Sequence, residues 1–221
     1  MPVPKPRLLI VDDDPHITAT LSSIFSGLGH QVHIAEDGFS ALKSVRAEVP
    51  DILLSDLNMP NMSGFELLSV VRRRFPGVFV IAVSAAFTGD AVPRGLAADA
   101  FHAKGTGLTQ LFELVKAATY PHHARSDAGA AVTVWVTHAG ERSAGTPLSI
   151  TCPECLRGFA ISWHPMDFLV ETTVCPQCDA AVRYGLVPAM DPVHPAVPRA
   201  KPVVSAAVHL PAASLAEAGG P

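Results

Sequence analysis

The sequence predicts an α/β fold with a five-stranded parallel sheet, followed by a small all-β module. Short apolar segments such as Leu8–Val11 and Ile52–Leu54 alternate with longer segments whose apolar residues recur at helical spacing. Runs this short indicate strands that are buried on both faces, as in a parallel sheet. A set of four cysteines in the second half indicates the second module. The length of 221 residues fits one α/β domain with a smaller companion.

The elements of the first half follow from these patterns and from the residues at their ends. Proline is favourable at the first position of a helix, so Pro15 marks the start of the first helix, and Gly29 marks its end. Asp37 and Ser63 mark the next two helix starts. The strands are predicted at residues 7–11, 31–35, 51–56, 78–84 and 100–103, and the last helix carries Leu108, Leu111, Phe112 and Val115.

Residues 88–95 depart from the regular alternation of strands and helices. They contain two glycines and Pro93 where the fourth helix is expected. Proline disrupts the interior of a helix because it lacks the N–H group and its ring clashes with the preceding turn. We therefore expect a short or displaced helix in this segment.

Three consecutive arginines, Arg72–Arg74, lie at the end of the third predicted helix. They could form a basic binding patch. The helix dipole favours positive charge at the carboxyl end, however. We therefore interpret them as a solvated helix end.

Acidic residues follow two of the predicted strands directly. Asp12 and Asp13 come after the first strand, and Asp56 ends the third. Taken alone, Asp56 could simply cap the next helix or turn. In parallel sheets, however, ligands and reacting groups lie beyond the carboxyl ends of the strands. Clustered carboxylates repel one another, and a hard cation such as Mg²⁺ relieves that repulsion, so the sequence predicts a magnesium site at this edge.

These residues resemble the receiver domain of two-component response regulators, over residues 5–120. Asp12 and Asp13 match the acidic pair of that family, and Asp56 matches its phosphoacceptor. Three further residues at predicted strand ends match the family's switch and phosphate-binding positions: Ser84, Phe101 and Lys104. The resemblance implies a doubly wound, flavodoxin-like fold.

The resemblance also implies an activity. Asp56 would accept a phosphoryl group from a sensor histidine kinase or a phosphotransfer protein. Asp12, Asp13, Asp56 and the backbone carbonyl of Asn58 would hold Mg²⁺, and the three switch residues would bind the phosphoryl group and report its presence. On this interpretation the protein is a phosphoacceptor signalling protein and not an enzyme, apart from autophosphotransfer and autodephosphorylation.

Four cysteines form two Cys-x-x-Cys pairs, separated by residues 156–174; they are Cys152, Cys155, Cys175 and Cys178. Each pair can bring two thiolates to one side of a tight turn, and two such turns complete a tetrahedron. We therefore expect structural Zn²⁺, and the pattern resembles zinc ribbons. The alternatives are two disulfides, which are rare in cytosolic chains, or a redox dithiol, which would not need duplicating. Gly158 follows the first pair, and we expect it to take a positive φ.

The residues around the cysteines favour strands, at residues 132–136, 148–151, 158–163 and 168–174. Zinc ribbons bind DNA, RNA or protein. Residues 148–187 contain two positive side chains against four negative ones. A nucleic-acid-binding surface needs clustered positive charge, so the composition favours a protein partner.

Composition suggests the compartment and the domain limits. The net charge of −4 gives no bias toward nucleic acid or anionic membranes, no apolar run approaches a membrane span, and the first six residues lack the apolar core of a signal peptide. We therefore expect a cytoplasmic protein. We predict a receiver domain over residues 5–120, a linker over 121–130, a zinc-ribbon-like module over 131–187 and a disordered Pro/Ala-rich tail over 188–221.

Three hypotheses for the function remain at this point. The first is a response regulator in which phosphorylation of Asp56 switches a protein contact made through the ribbon. The second is a transcription regulator whose ribbon binds DNA, which the charge balance disfavours. The third is a scaffold whose receiver domain is never phosphorylated, which the complete acidic set disfavours.

Overall fold

The structure is a computed structural model, and it describes residues 5–87, 96–118, 133–137, 147–162 and 170–187. The first module alternates strands and helices, in the order β1 (Arg7–Val11), α1 (Pro15–Gly27), β2 (Gln31–Ala35), α2 (Gly38–Ala47), β3 (Ile52–Asp56), α3 (Gly64–Arg74), β4 (Phe79–Ser84), β5 (Ala100–Ala103) and α4 (Leu108–Ala118). Apart from the short or displaced helix expected over 88–95, which lies outside the described residues, each predicted strand and helix of this module is present. The bounds differ from the prediction by at most two residues where both ends were predicted.

The five strands form one parallel sheet in the order β2-β1-β3-β4-β5. This order confirms the predicted doubly wound parallel sheet. β3 lies at its centre, and all five of its residues are buried. The apolar core lies on both faces of the sheet. One face packs against α1 and α4 and the other against α2 and α3.

The helix starts are fixed by the residues that the sequence analysis identified. Asp14 precedes Pro15 and caps α1 by accepting a hydrogen bond from the His16 N–H. Asp37 and Ser40 form a reciprocal capping box at the start of α2. Ser63 caps α3 by accepting from the backbone N–H three residues later. Such caps satisfy N–H groups that have no partner inside the helix.

The described residues of the second module form five short strands: β6 (Val134–Thr137), β7 (Pro147–Thr151), β8 (Gly158–Ser162), β9 (Glu171–Val174) and β10 (Ala181–Val187). They form a three-stranded sheet in the order β6-β10-β9 and a two-stranded sheet of β7 and β8. Four of these strands lie within or beside predicted segments. β10 was not predicted. Gly185 lies within β10, where a Cβ atom would be 2.8 Å from the Trp135 ring, so the strand backbone packs closely against that ring.

The two modules pack against each other through α3. One cluster of buried apolar residues runs from the α2–α3 face of the parallel sheet into the second module, where it includes Val134, Ile150 and Val182. All eight residues from Gly64 to Val71 are buried, so the first two turns of α3 are covered on every side. The helix is therefore shared by both modules.

The arginines at the end of α3 are not all solvated, so that prediction is wrong in part. The side chain of Arg72 is only 16% exposed, and its guanidinium pairs with the Asp99 carboxylate. Arg73 donates to Glu154 of the second module at 2.9 Å. Tertiary packing brings these two side chains close to acidic partners, and the ion pairs hold them in place. The helix-dipole argument could not predict which acids would lie nearby.

Several predictions concern residues outside the described part of the chain: the displaced helix over 88–95, the linker over 121–130 and the disordered tail over 188–221. Within the described residues, no helix is long and apolar enough to cross a membrane.

Candidate functional site

The predicted acidic residues meet at the carboxyl edge of the parallel sheet. Val11 of β1 pairs with Ser55 of β3, so Asp12 and Asp56 occupy equivalent positions on adjacent strands. Carboxylate oxygens of Asp12, Asp13 and Asp56 all lie within 4.8 Å of one another. Asp12 and Asp56 are buried, whereas Asp13 is exposed. Two of the three acids therefore lie in the low-polarity interior, and the third is open to solvent.

Lys104 lies directly between the two buried aspartates. Its Nζ atom is 2.9 Å from Asp12 Oδ2 and 2.9 Å from Asp56 Oδ2. Ser84 of β4 pairs with Ala103 of β5, so Lys104 follows β5 at the same edge of the sheet. Burial alone would lower the pKa of Lys104, but hydrogen bonds to Asp12 and Asp56 outweigh it and the pKa is raised. The lysine therefore stays positively charged and offsets part of the acidic charge.

Asp56 keeps one oxygen without a protein donor. Its Oδ2 atom takes the Lys104 contact, while Oδ1 is buried and has no hydrogen-bond partner among the described residues. Burial raises the pKa of Asp56, although the Lys104 ammonium opposes that shift. A buried, unpaired carboxylate oxygen beside a second and a third carboxylate is a suitable ligand for a hard cation. The site therefore fits Mg²⁺.

The predicted switch hydroxyl lies on the adjacent strand at the same edge. Ser84 is fully buried, and its Oγ accepts a hydrogen bond from the Ala86 N–H at 3.1 Å. The side-chain amide of Asn58 donates to the same oxygen at 3.4 Å. Phe101 of β5 is partly buried and packs against the core. The structure thus brings the three acids, Lys104, Ser84 and Asn58 to one edge of the sheet.

An apolar cleft of about 370 Å³ adjoins the phosphoacceptor candidate, Asp56. It lies between α1 and α4 and is lined by residues that include Ile17, Leu21, Leu108 and Leu111. These side chains keep polar groups away from one side of Asp56 and so help to explain its desolvation.

The backbone that follows Asp56 packs directly against the start of α3. A Cβ atom at Gly64 would lie 2.0 Å from the Asp56 carbonyl oxygen and 2.7 Å from Leu57 Cα. The Gly64 N–H donates to the Leu57 carbonyl at 3.0 Å. Only glycine fits this approach. Gly64 was not predicted as part of the site, since a glycine after a capping serine is also compatible with an ordinary helix start.

The four cysteines converge in the second module, with sulfur atoms all within 4.8 Å of one another. The Cys152–Cys178 and Cys155–Cys175 sulfur pairs are each 3.7 Å apart. Four thiolates about 2.3 Å from a central zinc define a tetrahedron with edges of about 3.8 Å, whereas a disulfide needs about 2.05 Å. These two separations match the edge of such a tetrahedron and not a disulfide bond.

The two cysteine turns have the same backbone pattern. In the first, Leu156 N–H donates to the Cys152 carbonyl, and in the second Asp179 N–H donates to the Cys175 carbonyl. Leu156 and Asp179 both have a φ of 58°. The prediction of a positive φ at Gly158 is therefore wrong. The hydrogen-bonded turn sets the left-handed residue four positions after its first cysteine, whatever its type.

Glu66 of α3 joins the cysteine module to the first module. It is 4% exposed, and its carboxylate accepts a hydrogen bond from the Thr151 backbone N–H at 2.7 Å. Thr151 immediately precedes Cys152. Burial raises the pKa of Glu66 to about 7, although the bonds from Thr151 oppose the shift. The signal in the sequence was an acid within an otherwise apolar stretch of α3, which was not recognised as a buried contact.

A comparison with known protein families finds a match to the first module. The model of the response regulator receiver domain family matches residues 8–116. Among curated proteins, the chain is 35% identical over 117 residues to the transcriptional regulatory protein PrrA of Mycobacterium tuberculosis, covering 52% of this chain and 50% of that protein. It is 32% identical over 123 residues to the Regulator of RpoS of Escherichia coli K12, covering 54% of this chain and 36% of that protein. The chain thus spans half or less of the length of these relatives.

Solved structures are similar over the same half of the chain. One is the response regulator TrrA of Thermotoga maritima in complex with Mg²⁺ and BeF, with 29% identity, a TM-score of 0.48, and coverage of 51% of this chain and 98% of that one. Another is the complex of the histidine kinase ThkA with TrrA, with 29% identity, a TM-score of 0.48, and coverage of 52% of this chain and 98% of that one.

Proposed function

Because residues 8–116 form a response regulator receiver domain, we propose that Asp56 accepts a phosphoryl group from a sensor histidine kinase or a phosphotransfer protein. The observation that carries the proposal is the position of Lys104, 2.9 Å from both Asp12 and Asp56. Among the described residues, the other carboxylate oxygen of Asp56 has no hydrogen-bond partner, and it lies beside a cluster suited to a cation. Phosphoryl transfer requires mainly positioning and neutralisation of charge, and this edge of the sheet provides both.

In the proposed transfer, a carboxylate oxygen of Asp56 attacks the phosphorus atom of a phosphohistidine. A P–O bond forms as the P–N bond breaks, and the imidazole nitrogen keeps the electron pair and takes a proton from solvent. Lys104 stabilises the negative charge of the transferring group, and the Ser84 hydroxyl donates to one of its oxygens. Asp12, Asp13, Asp56 and the Asn58 carbonyl would hold Mg²⁺, which would add positive charge beside the transferring group. Phe101 follows the resulting movement of Ser84.

The activity of the chain is then limited to its own phosphorylation and to hydrolysis of the resulting acyl phosphate. This limit follows from the role of Asp56, which acts as the nucleophile and then carries the transferred phosphoryl group itself. We expect this chemistry to take place in the cytoplasm.

We propose that the four cysteines hold structural Zn²⁺. The sulfur separations of 3.7 Å support this, because they match the edge of a thiolate tetrahedron and exceed a disulfide bond by far. Zinc would stabilise a module whose short strands enclose only a small core of their own. The ribbon-like module then provides the output surface, and its excess of negative over positive side chains favours a protein partner over nucleic acid.

The proposed phosphorylation is tested with acetyl phosphate, Mg²⁺ and the full chain, by quantifying acid-labile phosphate. We expect the wild-type protein to be labelled and Asp56→Asn to be unlabelled. Asp13→Ala should lose labelling because it removes a ligand of the cation. Glu36→Ala is the matched control, since Glu36 follows β2 at the same edge but lies outside the acidic cluster. Equal labelling of Asp56→Asn and wild type would refute the assignment.

A further inference from the structure

We propose that the four-cysteine site and the phosphoacceptor regulate each other through α3, with Glu66 as the positioning residue that joins them. This inference rests on the proposed function, because it concerns the regulation of the same two sites. It requires that each site be mechanically connected to α3, and the structure provides a contact at each connection.

The first connection lies at the start of α3. Gly64 packs against the backbone of Asp56 and Leu57 so closely that an added Cβ atom would lie 2.0 Å from the Asp56 carbonyl oxygen. A hydrogen bond of 3.0 Å from the Gly64 N–H to Leu57 fixes the same contact. Interiors packed at this density are poorly compressible and transmit strain. A shift of the Asp56 backbone therefore has to move the first turn of α3.

The second connection lies two residues further along. Glu66 accepts the Thr151 N–H at 2.7 Å, and both residues are buried, with exposures of 4% and 2%. Thr151 ends β7, and the next residue is the first cysteine of the cluster. A buried hydrogen bond to a carboxyl oxygen is costly to break, since the donor has no water to replace it. Movement of the first turn of α3 is thus passed to the cysteine turn.

Other contacts of the interface hold the two modules together when the first turn of α3 moves. The Trp135 N–H donates to Ser69 Oγ at 3.3 Å, and Ser69 donates in turn to the Phe65 carbonyl at 2.7 Å. Apolar residues of both modules cover α3 on every side from Gly64 to Val71. The helix therefore has no free face into which a displacement could be absorbed.

Coupling of this kind is reciprocal. If occupancy of the phosphoacceptor site changes the affinity of the cysteines for Zn²⁺ by some factor, Zn²⁺ must change the affinity of the phosphoacceptor site by the same factor. Typical couplings correspond to factors of about 5 to 150. We expect a factor of about five or more here, because both contacts are buried and lie only two positions apart along α3.

The experiment measures both affinities on the full chain, with beryllofluoride and Mg²⁺ as the phosphoryl mimic. Competition with a chromophoric chelator gives the affinity for Zn²⁺ with and without beryllofluoride, and calorimetry gives the affinity for beryllofluoride with and without Zn²⁺. We expect both comparisons to yield the same factor, about fivefold or more. Glu66→Ala should bring the factor close to one, whereas Glu66→Gln, which keeps an oxygen acceptor for Thr151, should retain most of it.

Arg73→Ala serves as the matched control. Arg73 also connects α3 to the cysteine turn, through Glu154, but the pair is exposed, with side-chain exposures of 35% and 39%. Exposed ion pairs contribute little, so the coupling factor should be unchanged. If the wild-type protein binds both Zn²⁺ and beryllofluoride but each affinity is independent of the other ligand, the inference is overturned and the proposed function stands. Failure to bind one of the ligands would overturn the proposed role of that site, and the coupling with it.

Discussion

The Glu66 carboxylate of α3 accepts the Thr151 backbone N–H of β7 at 2.7 Å, in a contact that is shielded from solvent on both sides. It lies between the helix that follows the phosphoacceptor strand and the strand that leads into the cysteine cluster. An acid in this position joins two modules that the sequence alone presents as separate. Its consequences for stability can be measured independently of its role in regulation.

Glu66 should make stability depend on pH between about 4.5 and 7. Burial raises its pKa from 4.5 to about 7 in the folded protein. In this pH range the folded protein keeps a proton that the unfolded chain loses, so the free energy of unfolding falls as pH rises. The decrease in the free energy of unfolding reaches its full size, up to about 3 kcal/mol, above pH 7. Glu66→Gln removes it, so urea unfolding should show the variant gaining stability relative to wild type from pH 5 to pH 8.

Glu113→Gln is the control for that experiment, because Glu113 lies on the exposed face of α4. Its stability relative to wild type should stay constant over the same pH range. A Glu66→Gln variant whose difference from wild type is also constant would show that Glu66 titrates normally and is not buried as described.

Gly64→Ala should strongly destabilise the protein. Its methyl group would lie 2.0 Å from the Asp56 carbonyl oxygen, which is backbone and cannot rotate away. Overpacking of this kind costs about 1–3 kcal/mol or more, measurable by urea unfolding. Gly27→Ala in α1 is the matched control, since no atom lies within 4 Å of its added methyl group. If the two variants were equally stable, the close approach of α3 to the phosphoacceptor strand would be wrong.

Lys104→Met should lower the free energy of unfolding at neutral pH by about 1–3 kcal/mol, because it leaves the buried Asp12 and Asp56 without the lysine ammonium that pairs with both. Added Mg²⁺ should restore much of this loss by taking over the neutralisation. Urea unfolding with and without Mg²⁺ measures both effects. Lys43→Met, at an exposed position of α2, should show neither. A Lys104→Met protein that is insensitive to Mg²⁺ would argue against a cation at the acidic cluster.

Removal of the proposed zinc ion should affect the receiver domain as well as the cysteine module. Chelation is expected to unfold residues around 147–187, and α3 then loses the apolar cover on its outer face. Hydrogen exchange should therefore accelerate in residues 64–71 while β1 and β3 remain protected by the parallel-sheet core. Cys175→Ser should have the same effect. Protein that contains no zinc and whose α3 exchange is unchanged by chelator would contradict both the metal and its structural role.

Much of the receiver domain could be predicted from local signals. The strands were short apolar runs, and the caps at Asp37 and Ser63 are formed by the residue types that satisfy free N–H groups. The acidic edge followed from chain order, because parallel strands end at the same side of the sheet. These features depend on neighbours in sequence or on a regular topology.

The packing of the two modules could not be predicted in the same way, because it depends on contacts between residues that are distant in sequence. The sequence did contain one sign that α3 is buried on all sides. The stretch from Gly64 to Val71 is apolar on almost every side apart from Glu66 and Ser69, and a helix that is apolar all round is buried. The apolar residues of the second module that cover this helix, such as Val134 and Ile150, lie far along the chain, so no local pattern points to them. Arg72 likewise needed Asp99, a partner 27 residues away.

Direct mapping of the phosphorylated residue tests the central claim most directly. The full chain is phosphorylated with acetyl phosphate and Mg²⁺ and then reduced with borohydride, which converts a phosphorylated aspartate to homoserine. Tandem mass spectrometry identifies the converted position. Our account predicts homoserine at position 56 and unmodified aspartate at positions 12 and 13. Conversion at position 12 or 13 with position 56 unmodified, or no conversion under conditions in which the protein binds Mg²⁺, would contradict it.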